Sequence, residues 1–387
     1  MNFKNQFNKK FSPCHRFFGL KILMLSVILS ACHSKKSDRL KTETVADTIP
    51  AVVETASFFP DLVPGEVTFD ENAFGEIIEL KGEQKKTDAI FEVRETQMLV
   101  NDSLLIMANL NSENRFMAFS LPGFQLVKSF GKVGRGPGEF QYPQLVPAVG
   151  NGCLCYIYER ANNHLFSLNN DLSISELPFQ LPEATTNHTI NDKQVAGFLP
   201  GEFVYAESVK GGKAVFNFKV DGDSVQSRQI FNLSFSDAHK SWASYIGDFG
   251  ANAEKLRVVY AYKYFKRLIF VDLKNNTSRT LIFDAGEAGK GDAISVMSPE
   301  NVTHYWGMSA QSDFVYVLYS GRSPVDVNRE WQKKQFYIFV EKYDWNGNPV
   351  AKYRLDNWGY FCADQKRGKI YLASVNDEQP FFVYTVK

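Results

Sequence analysis

From about residue 75 to the end of the chain, apolar and polar residues alternate in short runs bounded by Gly, Asn, Asp and Pro, with almost no sustained helical period. Period-two runs of this length predict half-buried β-strands. The runs recur as a unit. Leu104 to Asn109, Asn114 to Phe119, a Pro122-Gly123 turn and Phe124 to Phe130 make a first copy. Forty-nine residues on, Cys153 to Tyr158, Asn163 to Leu168 and Leu172 to Phe179 repeat it. Further copies begin at Phe203, Leu256 and Phe314, with the turns Asp221-Gly222-Asp223, Lys274-Asn275-Asn276 and Asp344-Trp345-Asn346-Gly347 before their last strands. A sixth, Ile370 to Ser374 and Phe381 to Val386, stops one strand short.

Inner strands near Met98-Leu99, Leu145-Val146, Val195, Trp242 to Ile246, Tyr305 to Met308 and Tyr360 to Ala363 complete six four-stranded units. The stretch from Gly75 to Val386 allots about 52 residues to each, within the range of propeller repeats. Gly75-Glu76-Ile77-Ile78-Glu79-Leu80 is an orphan alternating strand ahead of the first unit. As the outer strand of the last unit it closes a ring and removes an exposed edge. The expected fold is all-β, a six-bladed β-propeller over residues 58–387 closed by an N-terminal strand that completes the last blade. A large β-sandwich or β-helix is the alternative.

The segment Ser129-Phe130-Gly131-Lys132-Val133-Gly134-Arg135-Gly136-Pro137-Gly138-Glu139-Phe140 resembles the glycine-proline-glycine-glutamate-phenylalanine signature of NHL-like and TolB-like six-bladed propellers. The chain is similar to the TolB-like propeller lipoproteins of Gram-negative bacteria from about Phe59 onward, including Tyr305 to Met308 and Asp344 to Asn348. The resemblance implies the six-bladed fold. It implies no activity, because the family's biochemical role is largely unassigned.

The first 31 residues carry Lys4, Lys9, Lys10, Arg16 and Lys21, no acidic residue, and an apolar run from Ile22 to Leu29 too short to span a bilayer as a helix. A basic start followed by a short apolar run is the pattern of a secretory signal peptide. Its end, Leu29-Ser30-Ala31-Cys32, resembles a bacterial lipobox, which implies a lipidated Cys32 as the new N-terminus; ordinary cleavage with a chance cysteine is the alternative. Two or three acyl chains anchor stably where one does not. Residues 32–57 are polar, without apolar period, and are expected to form a flexible tether. No acidic cluster follows Cys32, so a periplasm-facing anchor in the cell envelope is preferred over the outer surface. The aspartate-hydroxyl-aliphatic triplets Asp47-Thr48-Ile49, Asp102-Ser103-Leu104 and Asp223-Ser224-Val225 resemble O-glycosylation acceptors.

Across all 387 residues, 43 basic residues balance 43 acidic ones, so no net field favours nucleic acid. Removing the signal peptide leaves a net charge of −5. The 33 Phe and 17 Tyr suit pleated, half-buried surfaces. Cys153 and Cys155 point to one face of a strand and bridge each other poorly. Together with Cys362 they are best read as small buried hydrophobes, with a disulfide from Cys362 to one of the pair as the alternative.

In a propeller, outer-to-inner connections and middle-strand connections share one face. That face receives the long segments here: residues 131–143, 180–192, 232–241, 284–303 and 321–334. Long loops on a rigid scaffold collect binding residues. Tyr142, Trp242, Tyr245, Tyr305, Trp306, Trp331, Trp358 and Tyr360 lie in or beside them, and suit a sugar ring, a lipid-like ligand or a partner's loop. Plugging the channel mouth is an equal alternative for Trp306 and Trp358. Arg135 and Glu139 are the charged members of the glycine-rich loop, which lacks the following helix that a phosphate cradle needs. His188, His239 and His304 fall on long loops of the same face, although none has the spacing of a zinc motif. Asp248, Asp284, Asp292 and Asp326 also occupy candidate loops. No cofactor is implied. The expected function is non-enzymatic: a membrane-anchored propeller binding a glycan, peptide or envelope protein. The alternatives are a metal-assisted hydrolase or lyase using those histidines, and a structural subunit of an envelope complex.

Overall fold

A computed structural model describes residues 63–68, 71–110, 113–150, 152–183, 191–221, 224–237, 239–283, 298–299 and 301–386. Cys32, the Asp47-Thr48-Ile49 triplet, His188, Asp284 and Asp292 lie outside them. Six sheets each supply one blade. From inner to outer strand, blade 1 runs from Thr96–Asn101 to Leu126–Lys132, blade 2 from Pro143–Pro147 to Ile174–Gln180, and blade 3 from Gln194–Leu199 to Ser224–Asn232. Blade 4 runs from Gly247–Asn252 to Thr277–Ile282, and blade 5 from Thr303–Ala310 to Pro349–Leu355. Blade 6 begins at Gly359–Asp364 and ends on an N-terminal strand, Glu83–Lys85. Each inner strand contacts the inner strand of the next blade, and blade 6 contacts blade 1, so the ring is closed.

The core is six wedges rather than one mass. Alternate residues of each strand pack against different neighbours: Ile106 and Ala108 of blade 1 join Leu145 and Ile157 of blade 2, while Leu105 and Met107 join Tyr371 and Phe381 of blade 6. The same division holds between blades 2 and 3, 3 and 4, 4 and 5, and 5 and 6. Burial on both faces explains why strands such as Leu104–Asn109 are nearly continuous apolar runs. The three cysteines in the described part are buried and free, so Cys362 bridges neither of the pair. Cys155 packs between blades 1 and 2 and Cys362 between blades 6 and 1.

Ring closure differs from expectation in its detail. The orphan segment does not complete the last blade; Ile78–Leu80 pairs in parallel with the outer strand of blade 5. The closing strand is Glu83–Lys85, antiparallel to Phe381–Thr385. Between them Gly82 crosses where a Cβ would stand 2.8 Å from the Tyr384 ring, and its N–H donates to Asp356 at 3.1 Å. Glu79 also pairs with Arg354 of blade 5 at 2.9 Å. A further strand absent from the sequence reading, Val63–Thr68, runs parallel to the outer strand of blade 4. The N-terminal segment therefore straps the rims of blades 4, 5 and 6 in turn.

Two other elements depart from the expected pattern. Trp242–Tyr245 is a 3-10 turn capped by Ser241, and the inner strand of blade 4 starts after it at Gly247. Gly247 and Gly250 hide that strand in the sequence, yet both are required: a Cβ at Gly247 would meet the Tyr260 ring at 2.7 Å, and one at Gly250 would meet Ala310 at 2.8 Å. The segment after Gly321 contains a helix, α1 (Pro324–Gln332), with Ser323 as N-cap accepting from the Asp326 N–H and Pro324 at its first turn. Among the described residues no helix is long and apolar enough to cross a membrane.

The rim strap is expected to contribute to stability. A chain beginning at Thr87 should melt at least about 5 °C below one beginning at Ala51 when followed by circular dichroism. Equal melting would show that the three rim strands hold nothing.

Candidate functional site

The long-loop face brings together part of the sequence-predicted aromatic set. Trp306 of the blade 5 inner strand stacks on Trp358, which precedes the blade 6 inner strand, with ring centroids 5.1 Å apart. Tyr360 lies 5.5 Å from Trp306, and Trp331 of α1 meets Trp358 edge-on at 6.0 Å. The Arg322 guanidinium sits 5.2 Å from the Trp358 ring and 3.9 Å from Tyr337. It is fixed there by Glu330 of the helix and by donating to the Tyr337 carbonyl at 2.7 Å. Trp306, Trp331 and Tyr360 are half-buried while Trp358 is 9% exposed. Trp358 thus belongs chiefly to the wedge between blades 5 and 6, and its neighbours form the accessible edge of the cluster. The sequence did not single out Arg322; its place two residues before a helix N-terminus is the only local signal.

The other predicted residues do not join this cluster. Tyr305 is fully buried and donates to Glu341 at 3.1 Å, so it is a core residue rather than a ligand contact. Tyr245 is also buried and donates to the carbonyls of Ser236 and His239 at 2.9 and 2.8 Å, which makes it a loop anchor. Trp242 is half-buried in the turn before blade 4. Tyr142 is 57% exposed beside blade 2, with its N–H bonded to Glu159 at 3.0 Å.

In the glycine-rich loop, Glu139 accepts from the Gly136 N–H at 2.8 Å, and a Cβ at Gly134 would collide with its carboxylate. The carboxylate therefore folds its own loop rather than tying two blades together. That task falls to Phe140, which packs 5.1 Å from both Phe116 of blade 1 and Phe166 of blade 2. Arg135 is exposed at the loop surface.

His239 is buried against Phe265 at 5.2 Å, and His304 is stacked 6.1 Å from Tyr319. No group of three potential metal ligands converges among the described residues. Asp326 caps α1 through Ser323. Two shallow depressions, of about 370 and 170 Å³, lie elsewhere, on the outer strand of blade 2 around His164 and Pro178 and beside the Arg257–Asp272 ion pair.

Buried ion pairs brace the same face at blade 3: Lys193 to Glu207 at 2.8 Å and Lys213 to Asp192 at 2.6 Å. Burial opposes ionisation of Asp192, but Lys213 and the Ser208 hydroxyl and N–H together hold its carboxyl below the usual range. Burial pushes Glu207 up despite Lys193. Asp248 is not a loop residue as expected. It stands second in the blade 4 inner strand, where burial pushes its carboxyl up to about 6 against the opposing pull of Lys263 and Lys213.

The model of the TolB-like 6-blade propeller-like family matches residues 73–365, well over half of the chain. The chain belongs to the TolB-like six-blade propeller family. Among solved structures, a DUF4221-family protein from Bacteroides vulgatus is similar at 13% identity and a TM-score of 0.50, over 80% of this chain and 98% of that one. A streptogramin B lyase is similar at 9% identity and a TM-score of 0.44, over 80% of this chain and 98% of that one. At these identities the likeness concerns the fold alone. No protein of curated function matches the chain.

Asp248 generates a pH signature. Its folded value lies above its ordinary 3.8, so the native state holds the proton more tightly than the unfolded chain does. The stability this contributes is complete below about pH 4 and lost as pH rises through about 6. Asp248→Asn is expected to leave thermal stability unchanged at pH 4 and to raise it by about 1–3 kcal/mol at pH 7.5. A loss of stability at pH 7.5 would mean that the ionised carboxylate is held by a partner.

Proposed function

We propose that this propeller is a non-enzymatic binding protein, anchored in the bacterial envelope through a lipidated Cys32, that engages a glycan, peptide or protein partner through its long-loop face. The observation that carries this reading is the chain of ring contacts Tyr360–Trp306–Trp358–Trp331 on that face, with the Arg322 guanidinium over the Trp358 ring. Tryptophan and arginine are among the side chains most enriched where binding energy concentrates, tryptophan for its large rigid area and arginine for its planar guanidinium, which stacks and donates in fixed directions. Helix α1 carries Trp331 on an element with no buried residue of its own, so the indole stands at the surface of the blade and not within it. The basic, apolar and lipobox-like N-terminal sequence supports the anchor.

Capture from envelope extract on immobilised protein tests the surface. Trp331→Ala is expected to lose at least about tenfold of a specifically retained partner, while Lys366→Ala, exposed on the opposite face, retains it. Equal capture by both variants would set this face aside. Cys32→Ser should move the protein from the membrane fraction to the soluble one, and unchanged fractionation would contradict the anchor.

A further inference from the structure

At the tight-turn end of the wedge between blades 4 and 5 lies the smaller depression, a cleft of about 170 Å³. It is lined by Arg257, Asp272, Thr277 and Arg279 of blade 4 and, across the seam, by Trp345 and Asn346 of blade 5. Strand register explains why four polar side chains share it. Arg257 pairs with Asp272 and Asp272 with Thr277, so the three stand in one row across the second, third and outer strands. Arg279 lies two residues beyond Thr277 and therefore projects from the same face of the sheet. Further in, that face packs on blade 5 through Val259, Phe270 and Leu281.

The two guanidiniums converge on one residue. Arg257 donates through Nη1 to the Trp345 carbonyl at 2.6 Å and to the Asn346 side-chain oxygen at 2.5 Å. Arg279 donates to the Asn346 carbonyl at 2.9 Å and to the Asn348 side-chain oxygen at 2.7 Å. All four of these acceptors are neutral. Asp272 is the one carboxylate in the lining among the described residues, and it accepts from Arg257 Nη2 at 2.7 Å. Its remaining capacity goes to the Lys274 and Asn275 N–H groups and the Asn275 amide. Two cations are thus held side by side in a cleft with one carboxylate, and an anion between them offsets their repulsion. Arg257 uses three of its five N–H donors; Nε–H and one Nη2 hydrogen have no acceptor among the described residues. The exposed Thr277 adds a hydroxyl at the rim.

We infer that this cleft binds a phosphate group. One guanidinium fork satisfies a planar carboxylate, whereas a tetrahedral phosphate presents oxygens in several directions and takes donors from two arginines and a hydroxyl. The volume lies below the roughly 300–1,000 Å³ of pockets that enclose a whole organic ligand, so the cleft takes a terminal group and leaves the rest of the molecule outside. Such a group comes from an anionic lipid headgroup or from free phosphate. Val63, where the rim strap begins, is paired with Thr277, so the chain enters the propeller beside the cleft, on the side of the N-terminal anchor. That position points to the lipid, a source that rests on the anchor proposed above. The site itself lies at the opposite end of blade 4 from the long-loop face and does not depend on the partner surface there.

Calorimetric titration of the whole chain in a non-ionic detergent tests this with inorganic phosphate, dihexanoyl phosphatidylglycerol and, as the zwitterionic control, dihexanoyl phosphatidylcholine. At least one of the two anionic probes should bind with a dissociation constant below about 10 mM. Arg257→Gln and Arg279→Gln should each weaken it by about tenfold or more, while Lys366→Gln, an exposed cation of blade 6 on the same face, leaves it unchanged. Melting by circular dichroism checks that each variant is folded. Should Arg257→Gln unfold, Arg279→Gln decides alone, because its printed partners are exposed turn residues outside the core. Phosphatidylglycerol binding at least about tenfold tighter than inorganic phosphate assigns the site to a lipid headgroup; equal or weaker binding assigns it to free phosphate and leaves the Cys32 anchor untouched. The site is refuted if there is neither phosphate binding nor an excess of phosphatidylglycerol over phosphatidylcholine, or if Arg279→Gln binds as the parent does.

Discussion

Each sheet of this protein is buried on both faces by its neighbours, and everything else follows from that. A sheet with two apolar faces cannot stand alone in water, and two of them still leave a pair of faces uncovered. Only a closed ring covers them all, which is why the apolar residues divide into six inter-blade wedges and no single interior. Closure sets the strands' composition, the position of the glycines where inner strands crowd, and the return of the N-terminal segment to finish blade 6. It also fixes where chemistry can appear. The wedges are occupied by packing, so polar side chains that are not structural are confined to the channel and the connecting segments.

On the long-loop face, those side chains fall into two kinds. Some are engaged within the protein: the Lys213–Asp192 pair, the Glu139 loop closure, the Tyr245 anchor, and Lys193 and Glu207 through their ion pair alone. A buried pair of this sort contributes little net stability, but removing one partner is strongly destabilising; such residues hold the face in shape. Others are held in place without being engaged, namely Asp248 and the Trp306 N–H, while the indole edges of Trp306 and Trp331 remain partly open. A carboxylate whose ionisation opposes folding is a typical compromise between stability and function.

Much of the fold was legible because strand periodicity, turn residues and repeat spacing agree. The six units, the inner strands of five blades and closure by an N-terminal strand all follow from local pattern. The exceptions have local causes. Gly247 and Gly250 made the blade 4 inner strand look like a loop, because the need for backbone approach outweighed strand propensity there. The parallel rim strands at Val63–Thr68 and Ile78–Leu80 add to completed blades, so no repeat count called for them. Helix α1 is short and carries no buried residue, leaving its apolar stripe too weak to see. The site was less legible than the fold. Aromatic residues on long connections pointed to Trp306, Trp331 and Trp358, but exposure separates ligand contact from core, and Tyr305 and Tyr245 fell on the wrong side of that line. Gln97, Gln144 and Gln194 recur at nearly the repeat length. Each bonds the backbone at the inner strand of the next blade, a recurrence the sequence displays.

Amide hydrogen exchange along the six inner strands reports on the seams themselves. Strands whose amides are laced to the neighbouring blade should open only when the ring opens, whereas a seam without a lace can open locally. Amides of Thr96–Asn101, Pro143–Pro147 and Gln194–Leu199 are expected to exchange at the rate of global unfolding, with those of Gly247–Asn252 and Thr303–Ala310 exchanging at least about tenfold faster. Uniform protection around all six inner strands would contradict a ring whose glutamine laces, Gln97 to Leu145, Gln144 to Val195 and Gln194 to Gly247, are confined to the seams from blade 1 to blade 4.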